Sequence, residues 1–298
     1  FFSVGGALGP LELSAIHPMD GEAAPSDGGS GKDSKDWVAI VGYGSLLSET
    51  SARITCPSLR NFQPVSVAGY RRVYNLVSIS NIKRGFHDWK TKQVAAVVAQ
   101  PVPQRKMNAN NQDVNSSGDG SPPPMLASYF EIPRSELAGY YLREARYSFE
   151  EATVQRWDHG GGEPGSSKSH VDSKSSASPA GPTATKTTLL PLQPKAIICT
   201  EYKGGDQEAY FKEVYHGDKA KYNADIGKYY EGPLWRKDIL PVDRYLQLCL
   251  KGAFEIAGEK GVENFVATSY LADETTTLKD YLEKTKGTAA FDPRAVDV

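Results

Sequence analysis

Apolar and β-branched runs bounded by turn formers occupy 37–43, 65–79, 94–100, 126–132 and 189–202, the last around KAIICTEY. Each reads as a strand, with Gly69 as a bulge or bend inside the second. Two later segments change period. Over 242–257, Leu246, Cys249, Leu250, Ala253, Phe254 and Ala257 recur at three and four residues, which predicts a helix ended by Gly258 or Gly261. A second helix is predicted over 277–286, with Leu278, Tyr281 and Leu282 on one face before Gly287. Earlier in the chain, Leu137, Tyr140, Tyr141, Glu144, Tyr147 and Ser148 follow Ser135, a good N-cap, at helical spacing, so one helix is expected to run through all of them. Short strands with few helices between them favour a barrel-like α+β domain over a doubly wound sheet.

Three stretches are too polar to pack. Residues 1–36 are rich in Gly, Ser and Asp, 104–124 hold no aromatic residue, and 158–188 have Val171 as their one large apolar side chain. Burial cannot offset the ordering entropy of such segments. The expected organisation is therefore a flexible extension over 1–36 and a single domain over 37–298. That domain carries insertions at 104–124 and 158–188 and ends in a helical C-terminal extension. The chain starts at Phe1, which resembles what remains after a plastid-targeting leader is removed and fits a truncated fragment equally well, so cytoplasm and plastid both stay open.

Charge narrows the function. Lys and Arg number 34 against 36 Asp and Glu in 298 residues, too even a balance for a nucleic-acid binder. No apolar run approaches the ~18–20 residues that cross a bilayer, so no transmembrane segment is expected. Cys56, Cys199 and Cys249 are far apart and form no Cys-x-x-Cys pair, which reads as core thiols and not a metal site; no metal is expected.

Two motifs are tempting and fail. VAIVGYGSLL runs a strand into Gly42-x-Gly44, but Leu47 stands where a dinucleotide fingerprint needs its third glycine. No acid lies between Glu49 and Asp88 to take a ribose hydroxyl. A nucleophile elbow at Ser45 needs glycine at 43 and 47, where Tyr and Leu stand. What survives is a glycine-flanked turn at a strand end, whose successive N–H groups suit a carboxylate or phosphate oxygen as well as they suit an ordinary tight turn. The third signal is Glu144. Within the aromatic stripe, with Arg143 and Arg146 off its centre, it reads either as a desolvated carboxylate able to take and give a proton or as a helix-edge partner of Arg.

Taken together these segments resemble the γ-glutamylcyclotransferase superfamily, including its ChaC-type members. Tyr43-Gly44-Ser45-Leu46-Leu47 is similar to the family's YGS(N/L)L loop, and Gly69-Tyr70-Arg71-Arg72 to its G-Y-x-R segment. ASYFEIP over 127–133 resembles the strand before the catalytic helix, and LREARY over 142–147 the L-x-x-R-E-x-x-Y motif. The resemblance covers roughly 37–155 and the KAIICTEY strand. It departs at Leu46, where many members have Asn, and in lacking a Trp after Leu47.

The resemblance implies a small mixed β-barrel of five to six strands with packed helices. It also implies cleavage of glutathione or another γ-glutamyl amide to 5-oxoproline. Glu144 is then general base and acid, and Tyr43, Gly44, Ser45, Leu46, Leu47 and Tyr147 form the substrate site, with no cofactor. The tail beyond 203, rich in aromatic and lysine residues, is a lid, a docking surface for a protein partner over 203–237, or helices packed on the barrel. The competing reading is a non-catalytic subunit of a larger assembly built on the same fold.

Overall fold

A computed structural model describes residues 36–103, 123–157 and 191–285. Five strands close into a barrel: β1 (Trp37–Gly42), β2 (Arg60–Val67), β5 (Met125–Pro133), β6 (Tyr147–Arg156) and β7 (Lys195–Glu201). They run in the order β1-β5-β2-β6-β7, and the parallel contact of Ile40 with Ile197 and Val41 with Ile198 returns β7 to β1. The other four pairs in the ring are antiparallel, so the barrel is mixed, as expected. Closure leaves these strands without a free edge. A side sheet grows from β7, where β4 (Gln93–Pro101) meets it at Ala99 and Thr200. β3 (Tyr70–Val77), followed by the short helix α2 (Ile79–Lys83), pairs with β4; β9 (Ser269–Leu271) then adds to β3 and the short β8 (Leu240–Pro241) to β4.

β5 explains why a helix must cover the barrel. Eight of its nine residues are buried, which leaves no wet face of the kind a half-exposed strand shows. The cover is the long helix α6 (Asp243–Ala267), whose Asn264 Oδ1 accepts the Leu126 N–H at 2.8 Å. α6 outruns its predicted end. Gly258 takes φ 63°, which glycine adopts without steric cost, and the helix resumes beyond this kink because Phe265 is buried and Val262 and Val266 pack on the core. α7 (Leu278–Thr285) falls where predicted and buries Leu278.

Two other predictions need correction. Residues 65–79 are not one strand. Gly69, at φ 79°, turns the chain between β2 and β3, which pair with different neighbours, so Arg72 and Tyr43 meet across the barrel wall. Nor does one helix run from 135 to 148. A 3-10 turn (Arg134–Glu136) leads into α3 (Leu137–Arg143), Ser135 caps nothing, Glu144 is the C-terminal cap, and Tyr147 already begins β6. Seven of that strand's residues pair with β7, and this ladder outweighs the local helical spacing.

The segment 203–237 is mostly packed. It contains α4 (Gln207–Val214) and α5 (Lys219–Tyr222); Tyr210 meets Tyr202, Tyr215 and Trp235 edge-on, and Tyr202 stacks on Trp235. It packs on the core through Tyr210, Tyr215 and Leu234. Cys56, Cys199 and Cys249 are buried free thiols. The segments 1–36, 104–124 and 158–188 lie outside the described residues apart from Asp36, Pro123 and Pro124.

Gly252 is where α6 touches the loop after β1. A Cβ there would lie 2.9 Å from the Leu47 carbonyl carbon and from the Ser48 nitrogen, both backbone atoms that cannot swing away. Gly252→Val is expected to lower unfolding stability by about 1–3 kcal/mol through overpacking, read as a lower denaturant midpoint at unchanged slope. An unaltered midpoint would show that α6 is not seated on this loop.

Candidate active site

β1 ends at Gly42, and the chain turns through Tyr43 and Gly44 into a 3-10 turn (Ser45–Leu47) followed by α1 (Glu49–Thr55). Glycine is required at both ends of this turn by space. A Cβ on Gly42 would press into Leu46 and Ser128, and one on Gly44 would lie 2.6 Å from Tyr245 Oη and 2.9 Å from Val97 Cγ1. Ser128, fully buried on β5, holds the loop from below, its Oγ 2.8 Å from Leu46 O and 3.2 Å from Gly42 O. The Leu47 N–H bonds to Gly44 O at 3.0 Å, whereas the N–H groups of Gly44, Ser45 and Leu46 have no acceptor among the described residues.

Glu144 reaches the same place from the opposite wall. As the cap of α3 its N–H bonds to Tyr140 O, and its carbonyl accepts the Tyr147 N–H at 3.0 Å, so a tight turn sets Tyr147 beside it. Its side chain is 14% exposed, and Arg143 Nε lies 2.9 Å from Oε1. Arg143 thus does not point away from the site. It also donates to Ser45 Oγ at 3.1 Å and to Ser51 O and Thr55 Oγ1 at 3.0 Å, tying α3 to the loop and to α1. Glu144 is at once paired with Arg143 and desolvated. Burial raises its carboxyl pKa above the ordinary value near 4.5, and the charges of Arg143 and Arg146 only partly oppose this.

The two walls enclose one cavity, lined by Val41, Gly42, Tyr43, Gly44, Ser45, Leu46, Val97, Glu144, Tyr147, Cys199 and Tyr245. Of the residues read from the sequence, Tyr43, Gly44, Ser45, Leu46, Glu144 and Tyr147 come together here. Leu47 does not, because its side chain turns into the core and its backbone packs under Gly252. None of residues 203–237 lines the cavity.

Five lining residues are not among the site residues read from the sequence, and two of them, Val41 and Gly42, simply end β1 at the turn. Val97 and Cys199 come from strands read only as core, and Tyr245 sits one position off the apolar stripe of its helix, where no local pattern marks it. Cys199 is held by Tyr140, whose Oη lies 3.0 Å from Sγ, and burial pushes its thiol well above the usual range, so it is a wall and not a nucleophile. Burial likewise raises Tyr43, Tyr147 and Tyr245, which stay neutral donors; the Tyr147 hydroxyl donates to Val97 O at 3.0 Å. Among the described residues no group of three or more His, Cys, Asp or Glu is placed to hold a metal ion. No described helix is long and apolar enough to cross a membrane.

The free space is small, about 30 Å³, which holds one water molecule. A larger guest enters only when lining side chains move.

No protein-family profile and no curated protein matches this chain. Among solved structures, an uncharacterized protein from Homo sapiens matches with a TM-score of 0.28 and 13% identity, over 41% of this chain and 59% of its own length. A γ-glutamyl cyclotransferase matches with a TM-score of 0.31 and 14% identity, over 70% and 90%. A yeast γ-glutamyl cyclotransferase specific to glutathione matches with 0.29 and 14%, over 73% and 97%. The last two carry the family name that the sequence motifs resemble. Likenesses this distant carry no argument by themselves, and the α+β barrel is established by the chain's own strand pairing.

Proposed function

We propose that the chain is a γ-glutamylcyclotransferase-like lyase. The observation that carries this is the meeting, in one cavity, of a buried carboxylate of raised pKa and a loop whose Gly44, Ser45 and Leu46 N–H groups have no acceptor among the described residues. The loop over Gly44, Ser45 and Leu46 takes the α-carboxylate of a γ-glutamyl group. Glu144 removes a proton from the α-amine, whose nitrogen attacks the γ-carbonyl carbon. The bond from that carbon to the leaving nitrogen then breaks as Glu144 returns the proton to the departing amine, leaving 5-oxoproline. A raised pKa suits a group that must both accept and return a proton near neutrality. Because attack is intramolecular, holding the glutamyl chain folded supplies much of the acceleration. The steps need no metal or organic cofactor.

One observation favours a second reading. Tyr229 stands 38% exposed within 203–237 with Lys83 and Lys228 over its ring at 4.7 and 4.9 Å, a surface fit for a partner chain. Measuring 5-oxoproline release from glutathione and a panel of γ-glutamyl amino acids separates the two. Release is expected from at least one substrate, and silence from a folded protein across the panel would leave the non-catalytic subunit.

A further inference from the structure

Arg72 is the largest charged side chain sealed inside this protein, with no measurable exposure. A buried cation ordinarily has a carboxylate beside it, because desolvation of an unpaired charge costs several kcal/mol. Among the described residues Arg72 has none. Its guanidinium donates to three neutral oxygens, Tyr43 O at 2.7 Å from Nε, Thr268 Oγ1 at 2.8 Å from Nη1, and Leu126 O from Nη2. It also lies over the Phe265 ring, 4.3 Å from its centroid. Burial lowers its pKa to about 10, which still leaves it protonated at neutral pH. Among the described residues, a full positive charge thus sits in the interior with no carboxylate against it.

Its place gives that charge a use. Tyr43 and Gly44 line the cavity, whereas Arg72 lies behind them, outside the lining. No cis peptide occurs among the described residues, so the C=O of Tyr43 and the N–H of Gly44 point in opposite directions from one planar unit. Anchoring the carbonyl on Arg72 turns the Gly44 N–H away from Arg72, on the side where the cavity lies. The same bond polarises the peptide, and the unbalanced charge adds a positive field behind the neighbouring Ser45 and Leu46 N–H groups.

We infer that Arg72 is a positioning residue that makes the Gly44–Leu46 loop an anion site, with a ligand carboxylate supplying the missing negative charge across the Tyr43–Gly44 peptide. The inference rests on the proposed reading of this loop as the carboxylate subsite, but it does not need the lyase chemistry.

Its test is a titration of the full chain with L-glutamate, following the backbone amide resonances of Gly44, Ser45 and Leu46, in the wild type, Arg72→Met and Arg72→Lys. Near-UV circular dichroism reports the fold of each. In the wild type, glutamate is expected to shift these amides saturably. Arg72→Met should weaken the affinity at least tenfold, and Arg72→Lys, which keeps the charge, should recover part of the loss. In turnover, the methionine variant should raise KM about tenfold with kcat changed less than threefold and the pH midpoint of kcat unmoved, because carboxylate binding is lost equally from ground and transition states. A merely structural role would not separate KM from kcat or respond to the restored charge. Absence of any amide shift in the wild type overturns the inference even if Arg72→Met fails to fold, and so does undiminished glutamate affinity in a folded methionine variant. Glutamate binding that depends on Arg72 without 5-oxoproline release would instead retire the lyase and keep the anion site.

Discussion

Glu144→Gln is expected to lower 5-oxoproline release by about 10² to 10⁴, the worth of a positioned general base and acid. The substitution keeps size and shape, so the lost property is the ability to exchange a proton. The fold is expected to survive it. Arg143 retains Ser45, Ser51 and Thr55 as partners, and its side chain is 21% exposed, so no cation is stranded.

Stability should in fact improve at neutral pH. The folded-state pKa of Glu144 is raised, so its contribution to stability is fully present below the unfolded value near 4.5 and is lost as pH rises through the folded value. Glutamine, neutral throughout, escapes that loss, so the melting temperature of the variant at pH 7 is expected to equal or exceed that of the wild type. The same direction fixes the acid limb of the wild-type rate, which should fall with a midpoint above 4.5, because the base must be ionised to act. Full activity in folded Glu144→Gln would remove this residue from the chemistry, and an acid limb at or below the ordinary carboxylate value would contradict its burial.

Gly44→Ala should be the second severe lesion. The added methyl would stand 2.6 Å from Tyr245 Oη and 2.9 Å from Val97 Cγ1, closer than real Cβ atoms come, so the loop or α6 must shift. Tyr245 is not free to yield, since its ring packs edge-on to that of Tyr74, 6.4 Å between centroids. A displacement of the order of 1 Å in a positioning element costs about 10²-fold in rate, and that loss in kcat/KM is expected here. The double variant Gly44→Ala, Tyr245→Phe removes the nearer of the two clashing atoms and should recover part of the rate, leaving the share due to Val97. Wild-type kinetics in Gly44→Ala would mean that Tyr245 does not define this wall.

Much of this architecture was legible along the chain. The strands at 37–43, 94–100 and 126–132 and the final helix announced themselves by β-branched runs and by apolar spacing, because each buries a face that its own residues specify. The Tyr43–Leu46 turn and Glu144 were legible too, since glycines at a strand end and a carboxylate among aromatics are unusual enough to stand out locally. The misreadings share one cause. The spacing of Tyr140, Tyr141, Glu144 and Tyr147 suits a helix, yet Tyr147 belongs to a strand that exists only because β7, about fifty residues later, pairs with it. Arg143 reads as lying off the centre of that stripe because its partners Ser45, Ser51 and Thr55 are about ninety residues away. Tyr245 gave no signal at all, and Arg72 stood out only as the last residue of the Gly69-Tyr70-Arg71-Arg72 segment, with nothing to show that it would be buried.

What the sequence determined by itself was the set of pieces: which runs bury a face, where the chain turns, and which side chains carry protons. Only the tertiary structure decided that Glu144 faces the loop, that Arg72 stands unbalanced behind it, and that Tyr245 closes it. Periodicity records the neighbours within a few residues, whereas burial, pKa and access depend on groups brought together by barrel closure and by the seating of α6.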